Sequence, residues 1–170
     1  MSNATLDGMT TGHYVTIPEV PADMPRTTCA CPECQACCSR QPGPLIPGQL
    51  EAIAAHLGKT LREASASFVA SPGGVMGNRA TGQTLAVGTI TPRMKAGRCV
   101  FLQADDRCAI HPVAPFGCSH FDTHMPAAEG QRRGLWMMQL QASDPAYQSL
   151  RRTLTPAASH RPLPYPTEGR

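Results

Sequence analysis

Five cysteines fall within ten residues, in the run Cys29-Ala-Cys31-Pro-Glu-Cys34-Gln-Ala-Cys37-Cys38. Isolated buried thiols are common in protein cores, but five so close together are hard to place that way. Pro42-Gly43-Pro44 follows, so residues 29–44 read as an irregular loop that cannot bury its own backbone in apolar contacts. A bound metal would order such a loop. The first residues, MSNATLDGMTTGH, lack the basic and apolar regions of a secretory signal. No apolar run approaches the roughly 20 residues of a membrane helix. The chain therefore reads as cytoplasmic, where thiols stay reduced and dense cysteine patterns favour metal over disulfides.

The spacing narrows the chemistry. Cys31, Cys34 and Cys37 stand at C-x2-C-x2-C, the triad of bacterial-type ferredoxin loops. Cys29, Cys34 and Cys37 also satisfy the plant-type C-x4-C-x2-C spacing. Neither match is specific by itself. The adjacent Cys37 and Cys38 suit one ligand on each of two centres, or one ligand and one spectator. Three cysteines lie downstream: Cys99 and Cys108 flank an expected hairpin, and Cys118 follows a Pro-broken turn.

The segment CPECQACC, an amphipathic helix pair and then GRCVFLQADDRCAIHPVAPFGC are similar in order and separation to the CxxCxxCC cysteine-cluster family. That family is described as zinc- or iron-chelating, and sometimes as an iron–sulfur protein. The resemblance spans about residues 31–121. It implies that Cys31, Cys34, Cys37, Cys38, Cys99, Cys108 and Cys118 chelate metal, and it implies no defined reaction. Against the family pattern, Ala114 and Ser119 stand where arginines are usual, Cys29 is extra, and a later cysteine is missing. In the place of that cysteine the chain carries His120, Asp122 and His124, so His120 or His124 is expected to supply the donor.

Imidazole suits zinc, iron or copper. His120 joins the expected ligand set, while Cys29, His111, Asp122 and His124 are left open. His120 and His124, at i and i+4, share a face if this segment is helical. A 2-His-1-carboxylate site from His120, Asp122 and His124 stands as an enzymatic alternative, with non-haem iron or copper. His111 reads as an exposed turn residue. His13, His56 and His160 carry no pattern, and no common hydrolase, zincin or dinucleotide motif is present.

Along the chain, residues 1–28 read as an extended arm with a short strand at 14–17. Residues 29–155 form the metal-binding domain, and 156–170 a Pro-rich tail. Leu50, Ile53, Ala54 and Leu57 mark one helix, with Gly58 at its end. Thr60 and Glu63 open a second, expected to run through Phe68 and Val69 to Ser71-Pro72. Residues 73–83 read as a Gly-rich loop, 85–90 and 99–102 as strands, and 135–140 as a buried strand. Asp144-Pro145 opens a last helix. Trp136, Met137 and Met138 are expected in the core.

The 170 residues amount to one domain. Net charge is only +3 and 16% of residues are charged, so no field exists to attract nucleic acid or a membrane surface. The expected fold is α+β: a small, irregular, metal-stabilised single domain with two or three helices and a few short strands. The leading function is an iron–sulfur cluster passing electrons to a protein partner, as redox partner or enzyme subunit. The alternative is a structural zinc module acting in protein interaction.

Overall fold

The computed structural model describes residues 17–29, 31–37, 39–77, 84–154 and 156. The elements in order are α1 (Pro32–Cys37), α2 (Gln49–His56), α3 (Leu61–Ser65), β1 (Phe68–Gly77), β2 (Thr84–Pro92), β3 (Met94–Lys95), β4 (Arg98–Cys99), a 3-10 turn (His111–Val113), α4 (Phe116–Ser119), α5 (Ala127–Ser143) and α6 (Pro145–Thr153). Two small antiparallel sheets, β1–β2 and β3–β4, sit among the helices, so the class is small α+β.

Local chemistry explains most of the boundaries. At α3 the Thr60 side chain accepts from the Glu63 amide at 3.2 Å, and Glu63 reaches back to the Thr60 amide at 2.8 Å. This reciprocal cap satisfies two of the donors a helix start leaves unpaired. Asp144 caps α6 by accepting from the Tyr147 amide at 2.8 Å, with Pro145 behind it in the first turn.

Four expectations are corrected, besides the strand expected at 99–102, which ends at Cys99 because the chain turns at Val100 and Phe101 and leaves Leu102 only an isolated bridge to Cys108. The cysteine run is not wholly irregular, because Pro32 starts the short helix α1. The second helix stops at Ser65, and Phe68 and Val69 open a strand. There Phe68, fully buried, faces Pro92 in register, and β-branched Val69 pairs with Thr91. The stretch expected as a loop from residue 73 continues β1 to Gly77, with a bulge between Ser71 and Gly74 that accommodates Pro72. Gly73 lies at φ +71 directly over the Val87 carbonyl, a place only glycine fits.

The fourth correction is the run at 135–140, which is the middle of the 17-residue helix α5 rather than a strand. Arg133, Met137 and Gln141 recur at intervals of four and are the buried positions. The flanking Ala, Glu, Gln and Arg residues are strong helix formers and extend the apolar run at its N-terminal side. Of the strand expected at 14–17, only Ile17 is described and it is not in a strand. Residues 157–170 of the expected tail lie outside the described residues.

Two clusters make the core. The larger joins Leu45, Leu50, Ile53, Phe68, Ile90, Cys99, Phe101, Ile110 and Tyr147. Tyr147 reaches through it from α6, accepting from the Ile90 amide at 2.8 Å and donating to the Leu45 carbonyl at 3.0 Å. The smaller cluster holds Met24, Ile46, Phe116 and Met137, with Trp136 against them. Met24 shows that the described part of the N-terminal arm packs on the domain.

Candidate metal centre

The smaller core cluster takes Met24 from the arm and Phe116 from α4, the two segments that lead to the site. Around it, buried Arg133 donates from one nitrogen to the carbonyls of Pro25 and His120, both at 2.8 Å. The Thr27 amide donates to the Ser119 carbonyl at 2.8 Å. The arm is thereby laid beside the segment that follows α4. Cys29 and Cys31 extend from the arm, and α1 begins immediately after them.

Pro32 occupies the first helical position, where its missing N–H costs nothing. One turn of α1 then brings Cys34 back toward Cys31, whose sulfur accepts from the Cys34 amide at 3.4 Å. His124 comes from the opposite segment and places Nε2 3.1 Å from the Cys31 sulfur, across 93 positions of sequence. Thr123 beside it approaches the Cys34 sulfur with its hydroxyl at 3.2 Å and its amide at 3.5 Å. The ligand atoms of Cys29, Cys31, Cys34 and His124 all lie within 4.8 Å of one another.

The electrostatics are those of thiols crowded in one place. The Cys31 amide lowers the Cys29 thiol, but hydrogen bonds with Cys34 and Cys31 raise it, and the net shift is upward. Glu33 is held below the usual carboxylate range, first by the Cys31 thiol and then by a backbone amide. Thiols release their protons when a metal binds.

The other expected ligands are placed elsewhere or are not brought into this set. Cys99 is buried in the larger core with Cys108 against it, and burial pushes both thiols up. The Cys118 sulfur in α4 accepts from the Gly43 amide at 3.0 Å. His120 is 6% exposed, stacked on Phe116 with ring centroids 4.3 Å apart, and its Nδ1 pairs with the Ser119 hydroxyl at 2.9 Å. Burial, followed by the Arg26 and Arg133 charges, lowers its imidazole to about 4. His111 is exposed at the start of the 3-10 turn. Cys37 ends α1, and Cys38 lies outside the described residues. Among the described residues, no group of three or more close ligand atoms includes Cys99, Cys108, Cys118, His120 or Asp122. The pattern of seven cysteines leaves out Cys29 and His124, which complete the set seen here. The signal for them is nearness to the pattern: Cys29 stands two residues before Cys31, and His124 stands in the histidine-bearing stretch just after Cys118.

The donor set fits a metal. Around one tetrahedral ion with bonds of about 2.3 Å to sulfur, neighbouring donors sit roughly 3.8 Å apart. The four atoms, all within 4.8 Å of one another, need only small adjustments to reach that spacing. Three thiolates and an imidazole are a soft donor set of the kind that takes zinc, Cu(I) or an iron–sulfur cluster.

A small α+β domain with such a set at its surface is a metal-chelating cysteine-cluster protein. The chain belongs to the CxxCxxCC family, described as a "putative zinc- or iron-chelating domain", whose model matches residues 30–141. No curated protein and no solved structure gives a significant match. No helix among the described residues is long and apolar enough to cross a membrane.

Proposed function

We propose that the chain holds one zinc-like divalent ion on Cys29, Cys31, Cys34 and His124, and works as a closed, redox-silent module in contact with a protein partner. The observation carrying this reading is the convergence of three sulfurs and one imidazole nitrogen, from two distant segments, within 4.8 Å. A cluster of several irons distributes the thiolates over different irons, which spreads some of the sulfurs further apart than a single ion does. With four protein donors, no coordination position is left open for a substrate, which is the arrangement of structural rather than catalytic zinc. When bound, the ion supplies a cross-link between the α1 segment and the segment before α5. Three thiols so close also call for a reducing compartment such as the cytoplasm.

Elemental analysis with a visible spectrum on anaerobically purified protein tests this reading. Zinc near one per chain, without colour, is the expected result. Iron with acid-labile sulfide and visible absorption would replace it with the iron–sulfur reading, for which the C-x2-C-x2-C spacing of Cys31, Cys34 and Cys37 speaks.

A further inference from the structure

A continuous hydrogen-bonded bridge joins the backbone amides of two candidate ligands from opposite halves of the centre. The Cys29 amide donates to the Thr27 hydroxyl oxygen at 3.3 Å. That hydroxyl donates to Oδ2 of Asp122 at 2.7 Å, across 95 positions of sequence. Oδ1 of Asp122 accepts from the His124 amide at 2.9 Å. Resting on the four-donor reading above, we propose that Thr27 and Asp122 are positioning residues that hold Cys29 and His124 at ligating distance before the metal arrives.

The geometry separates this role from two others. Both oxygens of Asp122 are engaged, one by the hydroxyl and one by the amide, so the carboxylate acts through His124 rather than as a ligand itself. The bridge is also distinct from what anchors the arm. Arg133 holds Pro25 and His120, and Thr27 reaches Ser119 through its backbone amide, so neither anchor uses the Thr27 hydroxyl or the Asp122 carboxylate. Removing either group leaves the arm docked and frees only the ligand-bearing ends. Without the bridge, ordering of Cys29 and His124 has to be met at the moment of binding, which weakens affinity. Groups that orient metal ligands typically contribute about 10–100-fold in metal affinity.

The test is anaerobic titration of the reduced full-length chain with Co²⁺, followed through the thiolate-to-cobalt charge-transfer band and the ligand-field bands. Thr27→Val and Asp122→Ala should bind cobalt about 10–100-fold more weakly than wild type. Their ligand-field spectra should move toward that of His124→Ala, since the imidazole is the donor set loose. Thr27→Ser should restore wild-type behaviour. So should Asp122→Asn, whose amide can still accept from His124 and donate to the Thr27 oxygen. Thermal melts of the metal-free proteins accompany each titration. Wild-type affinity in Thr27→Val and Asp122→Ala overturns the proposal. So does a loss that follows melting temperature alone with an unchanged saturated spectrum, or an Asp122→Asn variant as weak as Asp122→Ala. Absence of any thiolate-to-cobalt band in wild type overturns the four-donor centre itself, and is read separately from the variants.

Discussion

Gly43 and Gly117 cross with their backbones in direct contact: a methyl group built on Gly43 would overlap the carbonyl of Gly117 and the amide of Cys118. The crossing lets the Gly117 amide donate to the Pro44 carbonyl and the Gly43 amide donate to the Cys118 sulfur, both at 3.0 Å. Backbone cannot swing aside as a side chain can. Gly43→Ala is therefore expected to cost about 1–3 kcal/mol or more, a melting temperature lower by roughly 2–12 °C. Gly58→Ala meets no atom within 4 Å and carries only the strain of its φ of +62, so it should cost about 1 kcal/mol. Thermal denaturation of the two variants side by side checks the contrast. Equal losses would show that the crossing is loose.

Glu129 lies between two guanidinium groups. Hydrogen bonds from Arg132 and then Arg133 lower its carboxyl from an ordinary 4.5 to about 2. Because the folded value is depressed, its stabilisation is complete above about pH 4.5 and is lost as pH falls through about 2. Glu129→Gln should melt below wild type at pH 6, and the gap should close as the pH approaches 2. Melting curves across that range decide it; a gap independent of pH would point to packing rather than charge.

His120 titrates in the same sense. Its imidazole, lowered to about 4 chiefly by burial, is neutral in the fold at pH 7. Unfolding raises it to the ordinary 6.5, so stability is full above that value and drains away as pH falls toward 4. Proton resonances of the ring should show a midpoint near 4, and His120→Asn should flatten the loss of stability between pH 6.5 and 4. A ring midpoint near 6.5 would contradict the buried, stacked placement on Phe116.

Cys31 and Cys99 should separate metal binding from packing. Cys31→Ser removes a sulfur at the four-donor site and should lower metal per chain. Cys99→Ser puts a hydroxyl into the apolar core at a cost of roughly 1–3 kcal/mol, with metal content unchanged. Native mass spectrometry and thermal melts on both variants read the two effects independently. Metal loss in Cys99→Ser would put the core thiols back among the ligands.

Much of this architecture was legible where chemistry is local. The Thr60–Glu63 cap, the Asp144-Pro145 start of α6 and the closing of β2 at Pro92 are each set by residues within a few positions of one another. The six-residue apolar run from Leu135 to Leu140 suits a buried strand as well as a helix interior. Its helical nature shows only in the spacing of Arg133, Met137 and Gln141 beyond and within it. Phe68 and Val69 continued a helical period in sequence, yet pairing with Pro92 and Thr91 decided their state. At the site, Cys31 and Cys34 could be read from spacing. The partnership of Cys29 with His124 could not, since it depends on Arg133 bringing Pro25 and His120 to one nitrogen.

The 93 positions between Cys31 and His124 bear on how the protein is made. A ribosome adding about 5–20 residues per second exposes the three thiolates roughly 5–20 s before it delivers the imidazole. During that interval a nascent chain offers sulfur alone, a softer and less selective trap than the finished set. Completion of the fold then exchanges that provisional chelator for one with a nitrogen donor. On the four-donor reading, metal supplied during synthesis meets sulfur alone and metal supplied after release meets the finished set, so the two regimes should differ in the ion bound.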